Sequence, residues 1–202
     1  MIIANCIQNS IEWFAIKAGI PSAGGFEKIV TSKGEPSKSQ TDYMLQLAGE
    51  FLIGRQEEGY TNYHMTRGLE VEIEARQYFE LVHGVEVQQV GFVYKDERKN
   101  VGCSPDGLIL AHETGLEVKS PMLRTHIKYL LDGKLPTEYV PQVQGCMYVT
   151  GFKSWHFLSY FPGMAALDII VQRNDDFCCK LENELNKFSK QLSETIEKLK
   201  QL

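Results

Sequence analysis

SPDGLILAHETGLEVKS, running from Ser104 to Ser120, holds two short apolar runs separated by a polar turn. Asp106 stands at the mouth of the first run. Pro105 fixes its own φ and Gly107 permits a tight bend, so the carboxylate is held at a strand start and faces open space. Glu117 and Lys119 are two apart in the second run, so their side chains leave the same face. Leu116 and Val118 then point into a core. Pro-Asp-Gly alone is a common turn, and Glu-Val-Lys alone is an ordinary strand face. The combination has a more specific chemistry.

Two carboxylates on neighbouring strands can hold Mg²⁺ or Mn²⁺, hard cations that prefer oxygen ligands. Such an ion polarises a phosphate and lowers the pKa of a water. An ammonium beside them, here Lys119, can orient that water, assist its deprotonation or stabilise charge at the transition state. Asp106, Glu117 and Lys119 therefore point to phosphodiester hydrolysis.

Outward from this segment, residues 85–95, 100–111 and 115–120 predict three strands in an antiparallel meander or a bent hairpin, and 154–161 and 165–173 return to strand alternation. Spacings of three and four over Ile3, Ile7, Ile11, Phe14 and Ala18 predict a helix over 2–18, ended by Gly19 and Pro21. Residues 19–38, rich in Gly, Pro, Ser and Lys, predict the most mobile stretch, with a short element at 26–30. Further helices are expected over 39–56, 66–82, 123–132 and 138–149. The tail from Asp175 carries one stripe, Phe177, Leu181, Leu185, Phe188, Leu192, Ile196 and Leu199, which predicts a helix lying over the core. The sum is a single α/β domain spanning 1–202, a central mixed β-sheet flanked by helices.

Composition narrows the setting. The formal net charge of −5 argues against nonspecific nucleic-acid binding, which needs a basic footprint. Bound divalent ions, however, invert the local sign of an acidic site. No run of eighteen apolar residues occurs, and the N-terminal stretch has Asn5, Gln8, Asn9 and Glu12 where a leader would be greasy, so a cytoplasmic protein with no membrane partner is expected. Cys6, Cys103, Cys146, Cys178 and Cys179 form no CxxC and read as buried free thiols of a reducing compartment.

Two weaker candidates lie outside the central segment. Glu70, Glu72 and Glu74 alternate on a predicted helix. Glu70 and Glu74, four apart, repel mildly, so one of the three can face a cation; a solvated acidic face is the competing reading. Gln142 and Gln144, near a helix start, can offer an amide to water or phosphate, or simply form a polar face.

SPDG followed by LEVKSP resembles the PD-(D/E)xK nuclease signature. More closely, Met65–Arg76, Cys103–Ile109, Leu116–Pro121 and Tyr139–Pro162, in that order, resemble the phage lambda exonuclease or YqaJ-like viral recombinase family over nearly the whole chain. The resemblance implies a restriction-endonuclease-like core. It implies metal ligation by Asp106, Glu117 and the Val118 backbone carbonyl, and catalytic roles for Glu72, Asp106, Glu117, Lys119 and Gln142. It further implies a 5′→3′ exonuclease that uses Mg²⁺, with Mn²⁺ as substitute, to degrade one strand at double-stranded DNA ends. Such enzymes leave a 3′ overhang, form a homotrimer ring and act beside a single-strand annealing protein. Lys17 stands where the family has a phosphate-binding Arg, without the guanidinium fork, and Pro21 and Ser22 depart from the family's Thr-Ala-Ser turn. Lys17, Ser22 and Arg124 are the substrate-binding candidates, with His126 and Lys128 as further channel-lining candidates. A restriction- or repair-type endonuclease, or a non-catalytic DNA-binding protein, would share the same core.

Overall fold

The computed structural model describes the backbone of residues 1–56 and 63–202 and the side chains of 1–56 and 71–202. The Glu70 side chain lies outside the described residues. Two sheets organise the chain, and the switch between them places the central segment. β1 (Ile2–Ala4), β2 (Phe92–Tyr94) and β3 (Gly102–Cys103) form a three-stranded antiparallel sheet. β4 (Gly107–Ile109), β5 (Thr114–Lys119), β6 (Ser154–Ser159) and β7 (Leu167–Gln172) form a four-stranded mixed sheet in that order.

The expected single meander is therefore corrected. Residues 100–111 are two strands in two sheets, broken at Ser104-Pro105-Asp106. Pro105 has no N–H to continue a ladder. Asp106 thus sits where the backbone leaves one sheet and enters the next. In the mixed sheet, β5 pairs antiparallel with β4 at Gly107↔Leu116 and parallel with β6 at Glu117↔Phe157. A parallel pair needs a long crossover, which here contains α4 (Leu123–Asp132) and α5 (Val140–Thr150).

Helices cover both faces of this sheet, as expected of the fold class. On one face, Leu116, Val118 and Leu158 pack with Val71, Ala75 and Phe79 of α3 (Tyr63–His83). On the other, Trp155 and Phe157 join the main core with α5, α2 (Gln40–Ile53) and α6 (Asp175–Leu199). Asn174 caps α6, its Oδ1 accepting from Phe177 N at 2.9 Å. The predicted α6 stripe is buried from Phe177 to Ile196. In α2, Tyr43, Leu47 and Ala48 face inward, while Phe51 and Leu52 are exposed.

Two close approaches need glycine. A Cβ on Gly115 would meet the Trp155 ring at 2.3 Å, and one on Gly145 would meet the Phe26 ring at 2.3 Å. The second contact seats a short 3-10 turn, Ala23–Lys28, against α5. Residues 19–30 of this stretch are accordingly anchored, whereas residues 31–38 are mostly exposed. Phe26, Ile29 and Val30 are fully buried in the main core. Isolated apolar residues among glycines show no periodicity from which this could be read.

The N-terminus is also corrected. Ile2–Ala4 form a strand, registered as Ile2↔Tyr94 and Ala4↔Phe92. The helix α1 covers only Ile11–Lys17, beginning where Ser10 Oγ accepts from Trp13 N at 3.2 Å. The apparent helical stripe buries nothing at Ile7 or Ile11, which are exposed, and β-branched Ile2 and Ile3 favour a pleated ladder. Cys103, Cys146 and Cys178 are buried free thiols as expected, whereas Cys179 is exposed. Among the described residues, no helix is long and apolar enough to cross a membrane.

Candidate active site

The end of β5 is where the mixed sheet opens between α3 and α5. Glu117 lies on this strand, 1 % exposed. Its Oε1 receives Lys119 Nζ at 2.6 Å and Gln142 Nε2 at 2.6 Å. Lys119 reaches that oxygen because residues two apart on a strand share a face. Gln142 reaches it because α5, with Pro141 in its first turn, begins over the strand end. Both donors take the same oxygen. Glu117 Oε2 is buried and, among the described residues, has no hydrogen-bond partner.

Asp106 approaches from β4. Its Oδ2 accepts the Val118 N–H at 2.7 Å, so the loop carboxylate is pinned to the strand that carries Glu117. Burial pushes the Asp106 carboxyl well above its ordinary range, and the charges of Glu117 and Glu72 push it further. Glu72 comes from α3. Burial raises its pKa too, with Arg76 opposing the shift. Burial alone would lower the Lys119 pKa, but Glu117 and Asp106 more than reverse this and hold the ammonium charged. Lys119 also faces the Tyr139 ring, 5.0 Å from its centre.

Arg76 ties the helix to the loop. Its Nη1 donates to Glu72 Oε1 at 3.2 Å and to the Asp106 carbonyl at 2.8 Å. With the Gln89 amide oxygen turned toward it, the guanidinium gains contacts of 2.8 and 3.1 Å. A cavity of about 470 Å³ is bordered by Glu72, Arg76 and Asp106, with Cys6 and Gln8 on its N-terminal side. Gln8 Nε2 donates to the Pro105 carbonyl at 2.8 Å and to that of Val90 at 3.2 Å. Sequence reasoning assigned no role to Arg76 or Gln8. The i, i+4 spacing of Glu72 and Arg76 was the available signal for the first; the second depends on a contact across the fold.

The structure thus brings Glu72, Asp106, Glu117, Lys119 and Gln142 to one place. Glu74 turns elsewhere and accepts from the Tyr160 hydroxyl at 2.7 Å. Gln144 is structural: its Nε2 donates to Gln172 O and its Oε1 accepts from Asn174 N.

The substrate-binding candidates are more scattered. Trp13 Nε1 donates to Ser104 Oγ and to Gly91 O, each at 2.9 Å, which fastens α1 beside the Asp106 loop. Lys17 Nζ lies over the Trp13 ring, 3.7 Å from its centre. Burial lowers the Lys17 pKa to about 8, with Glu50 opposing. Ser22 is buried and bonded to Tyr43. Arg124 is exposed on α4. His126, expected to help line a DNA channel, is instead fully buried, its ring nitrogens 2.8 Å from Ser159 Oγ and 2.9 Å from Ala165 O. It holds α4 to β6 and cannot reach solvent. Lys128 is exposed and paired with Asp132 at 2.7 Å.

A separate group was missed entirely. His83, His156 and Asp168 place one ligand atom each within 4.8 Å of the others. They come from α3, β6 and β7, and no local motif links them.

Comparison with known proteins identifies the fold and the family. The chain matches the solved structure of LHK-Exo, an alkaline exonuclease from Laribacter hongkongensis, at 31% identity and a TM-score of 0.85, covering 95% of this chain and 97% of that one. LHK-Exo in complex with dAMP matches equally well. A phage-related exonuclease from Haemophilus somnus 129PT, at 13% identity and a TM-score of 0.65 over 89% of this chain and 96% of that one, shares the fold. No curated protein sequence matches significantly. The family model for the YqaJ-like viral recombinase domain matches residues 12–153, and the chain belongs to that family.

Proposed function

We propose that this protein is a metal-dependent 5′→3′ exonuclease that hydrolyses one strand of linear double-stranded DNA and leaves a 3′ overhang for recombination by strand annealing. The observation that carries the reading is Glu117. One of its oxygens is saturated by Lys119 and Gln142, and the other is buried without a partner beside Asp106 and Glu72. A buried carboxylate oxygen left unpaired is costly. A divalent cation offsets that cost and the mutual repulsion of the three carboxylates at once.

The donors fit Mg²⁺, and Mn²⁺ as its substitute, because Asp106 and Glu117 offer only oxygen. The Val118 backbone carbonyl is assigned as the further ligand. When bound, the ion supplies Lewis-acid stabilisation of a phosphoryl oxygen and a more acidic water. The chain's own residues do the rest. Gln142 fixes the Glu117 carboxylate so that Oε2 stays turned toward the site. Lys119 keeps a positive charge there, to orient the attacking water and stabilise charge on the phosphoryl group. Arg76 holds Glu72 against the backbone of Asp106, so that helix and loop keep one spacing.

Lys17, fastened through Trp13 to Ser104, is the proposed contact for a 5′-phosphate; Arg124, exposed on α4, is the proposed contact for the strand backbone. The full chain acts as one nuclease domain. A homotrimer ring would keep DNA threaded despite a net charge of −5, and a single-strand annealing protein would take up the overhang.

The test uses linear duplex DNA labelled separately at each end, with and without a 5′-phosphate, in Mg²⁺ or chelator, beside a covalently closed circle. Nucleotides released from the 5′ side only, Mg²⁺-dependent, with the circle intact, is the expected result. Cutting of the circle would move the protein to the endonuclease reading, and release from the 3′ side would reverse the assigned direction.

A further inference from the structure

We infer that His83, His156 and Asp168 form a second metal site, selective for a borderline first-row ion such as Zn²⁺ and separate from the all-oxygen site at Asp106 and Glu117. The case starts from strand register. His156 on β6 lies opposite Ile170 on β7, and Leu158 lies opposite Asp168. Side chains two apart share a face, so His156, Leu158 and Asp168 all point to one side. That side is the one α3 covers, since Leu158 packs there with Val71, Ala75 and Phe79. His83 lies at the last turn of α3, which Gly84 ends with a positive φ of 63°. The helix therefore delivers an imidazole to the same patch of sheet.

The three side chains converge on a point. His83 Nε2 lies 2.9 Å from Asp168 Oδ2, and His156 Nδ1 lies 3.0 and 3.1 Å from the two Asp168 oxygens. All three ligand atoms fall within 4.8 Å of one another. The rings are held in place by Phe79. Its ring lies 4.2 Å from that of His83, centre to centre, and meets that of His156 edge-on at 4.9 Å. Rings fixed before binding cost little to order when a ligand arrives.

Two imidazole nitrogens and one carboxylate oxygen are a donor set for Zn²⁺ and its first-row neighbours, whereas Mg²⁺ prefers oxygen alone. The side chains of His83, Asp168 and His156 are 34%, 21% and 12% exposed, so the group opens to solvent on the His83 side. Water can complete a tetrahedral shell there. The ion joins the end of α3 to β6 and β7. The same helix carries Glu72 and Arg76 on earlier turns, so the site clamps the element that presents them.

The test is titration of the full chain carrying Asp106→Ala, which removes the all-oxygen site, with Co²⁺ as a visible probe. One equivalent should bind with the intense absorption of a four-coordinate nitrogen–oxygen site. Zn²⁺ should displace it and a large excess of Mg²⁺ should not. His83→Ala, at an exposed helix end where folding is least at risk, should weaken Co²⁺ binding by about a hundredfold. His156→Ala should do the same, checked by circular dichroism. Saturating Zn²⁺ should raise Tm by about 5 °C or more, and His83→Ala should abolish that rise. No Co²⁺ bound by the folded chain, or binding unchanged in His83→Ala and His156→Ala, overturns the inference and leaves the proposed nuclease reading untouched.

Discussion

The Gln142 amide donates to the Glu117 carboxylate at 2.6 Å, from a helix that begins over the end of the strand bearing Glu117. Because Lys119 occupies the same oxygen, Gln142 leaves the other buried and, among the described residues, unpaired. Gln142→Ala should keep the fold and lower kcat by about ten- to a hundredfold, with a weaker Mn²⁺ response, because the carboxylate loses its orienting partner. Gln142→Glu should be worse, since a second carboxylate would repel Glu117. Mn²⁺-dependent rates on linear duplex DNA check both variants, and normal rates in Gln142→Ala would remove it from the site.

Lys119→Ala should bind DNA yet lose about a hundredfold or more in hydrolysis. Its contacts are with Glu117 and the Tyr139 ring, so the loss belongs to the site rather than to distant packing. Single-turnover rates at saturating protein separate the two effects. Near-normal turnover would exclude Lys119 from the mechanism.

Arg76 is 7% exposed and joins Glu72 to the Asp106 backbone. Arg76→Ala should destabilise the fold by about 1–3 kcal/mol, because buried acceptors lose their donor, and should lower kcat more than it changes KM. Arg76→Lys should recover little, as a point charge cannot span both acceptors. Urea unfolding and steady-state kinetics read the two effects, and full recovery by lysine would show that charge alone matters.

Lys17 gives a pH test. Burial lowers its pKa to about 8, so its positive charge is present below that pH and lost as pH rises through it. For substrates with a 5′-phosphate, kcat/KM should fall above about pH 8, since that ratio reports the free enzyme. Lys17→Arg, charged throughout, should remove the fall. A profile unaltered by Lys17→Arg would detach Lys17 from end recognition.

Much of this was legible in local sequence. Asp106, Glu117 and Lys119 are spaced by strand geometry within one segment. The α4 and α6 bounds follow from helical periodicity between clear stops such as Gly133 and the Asn174 cap. The rest required contacts across the chain. Ile2–Ala4 pairs as a strand along the edge of β2, and Pro105 splits one expected strand between two sheets. His126 looked available until Ser159 and Ala165 enclosed it. His83, His156 and Asp168 meet through sheet register and helix packing, which no spacing rule encodes.

The strand pair that carries Glu117 also makes a stability prediction. A Cβ on Gly115 would lie 2.3 Å from the buried Trp155 ring. Gly115→Ala should therefore cost about 1–3 kcal/mol by overpacking, seen as a lower urea midpoint with an unchanged slope. An unchanged midpoint would mean that β5 and β6 separate more readily than this packing implies.

The central claim is that Asp106 and Glu117 seat the cation that hydrolyses DNA. Its most direct measurement pairs Mn²⁺ titration with end-labelled duplex hydrolysis in the folded chain and in Asp106→Ala. The account predicts that Asp106→Ala loses Mn²⁺ affinity and hydrolysis together. Retention of normal metal-dependent hydrolysis by Asp106→Ala would contradict it.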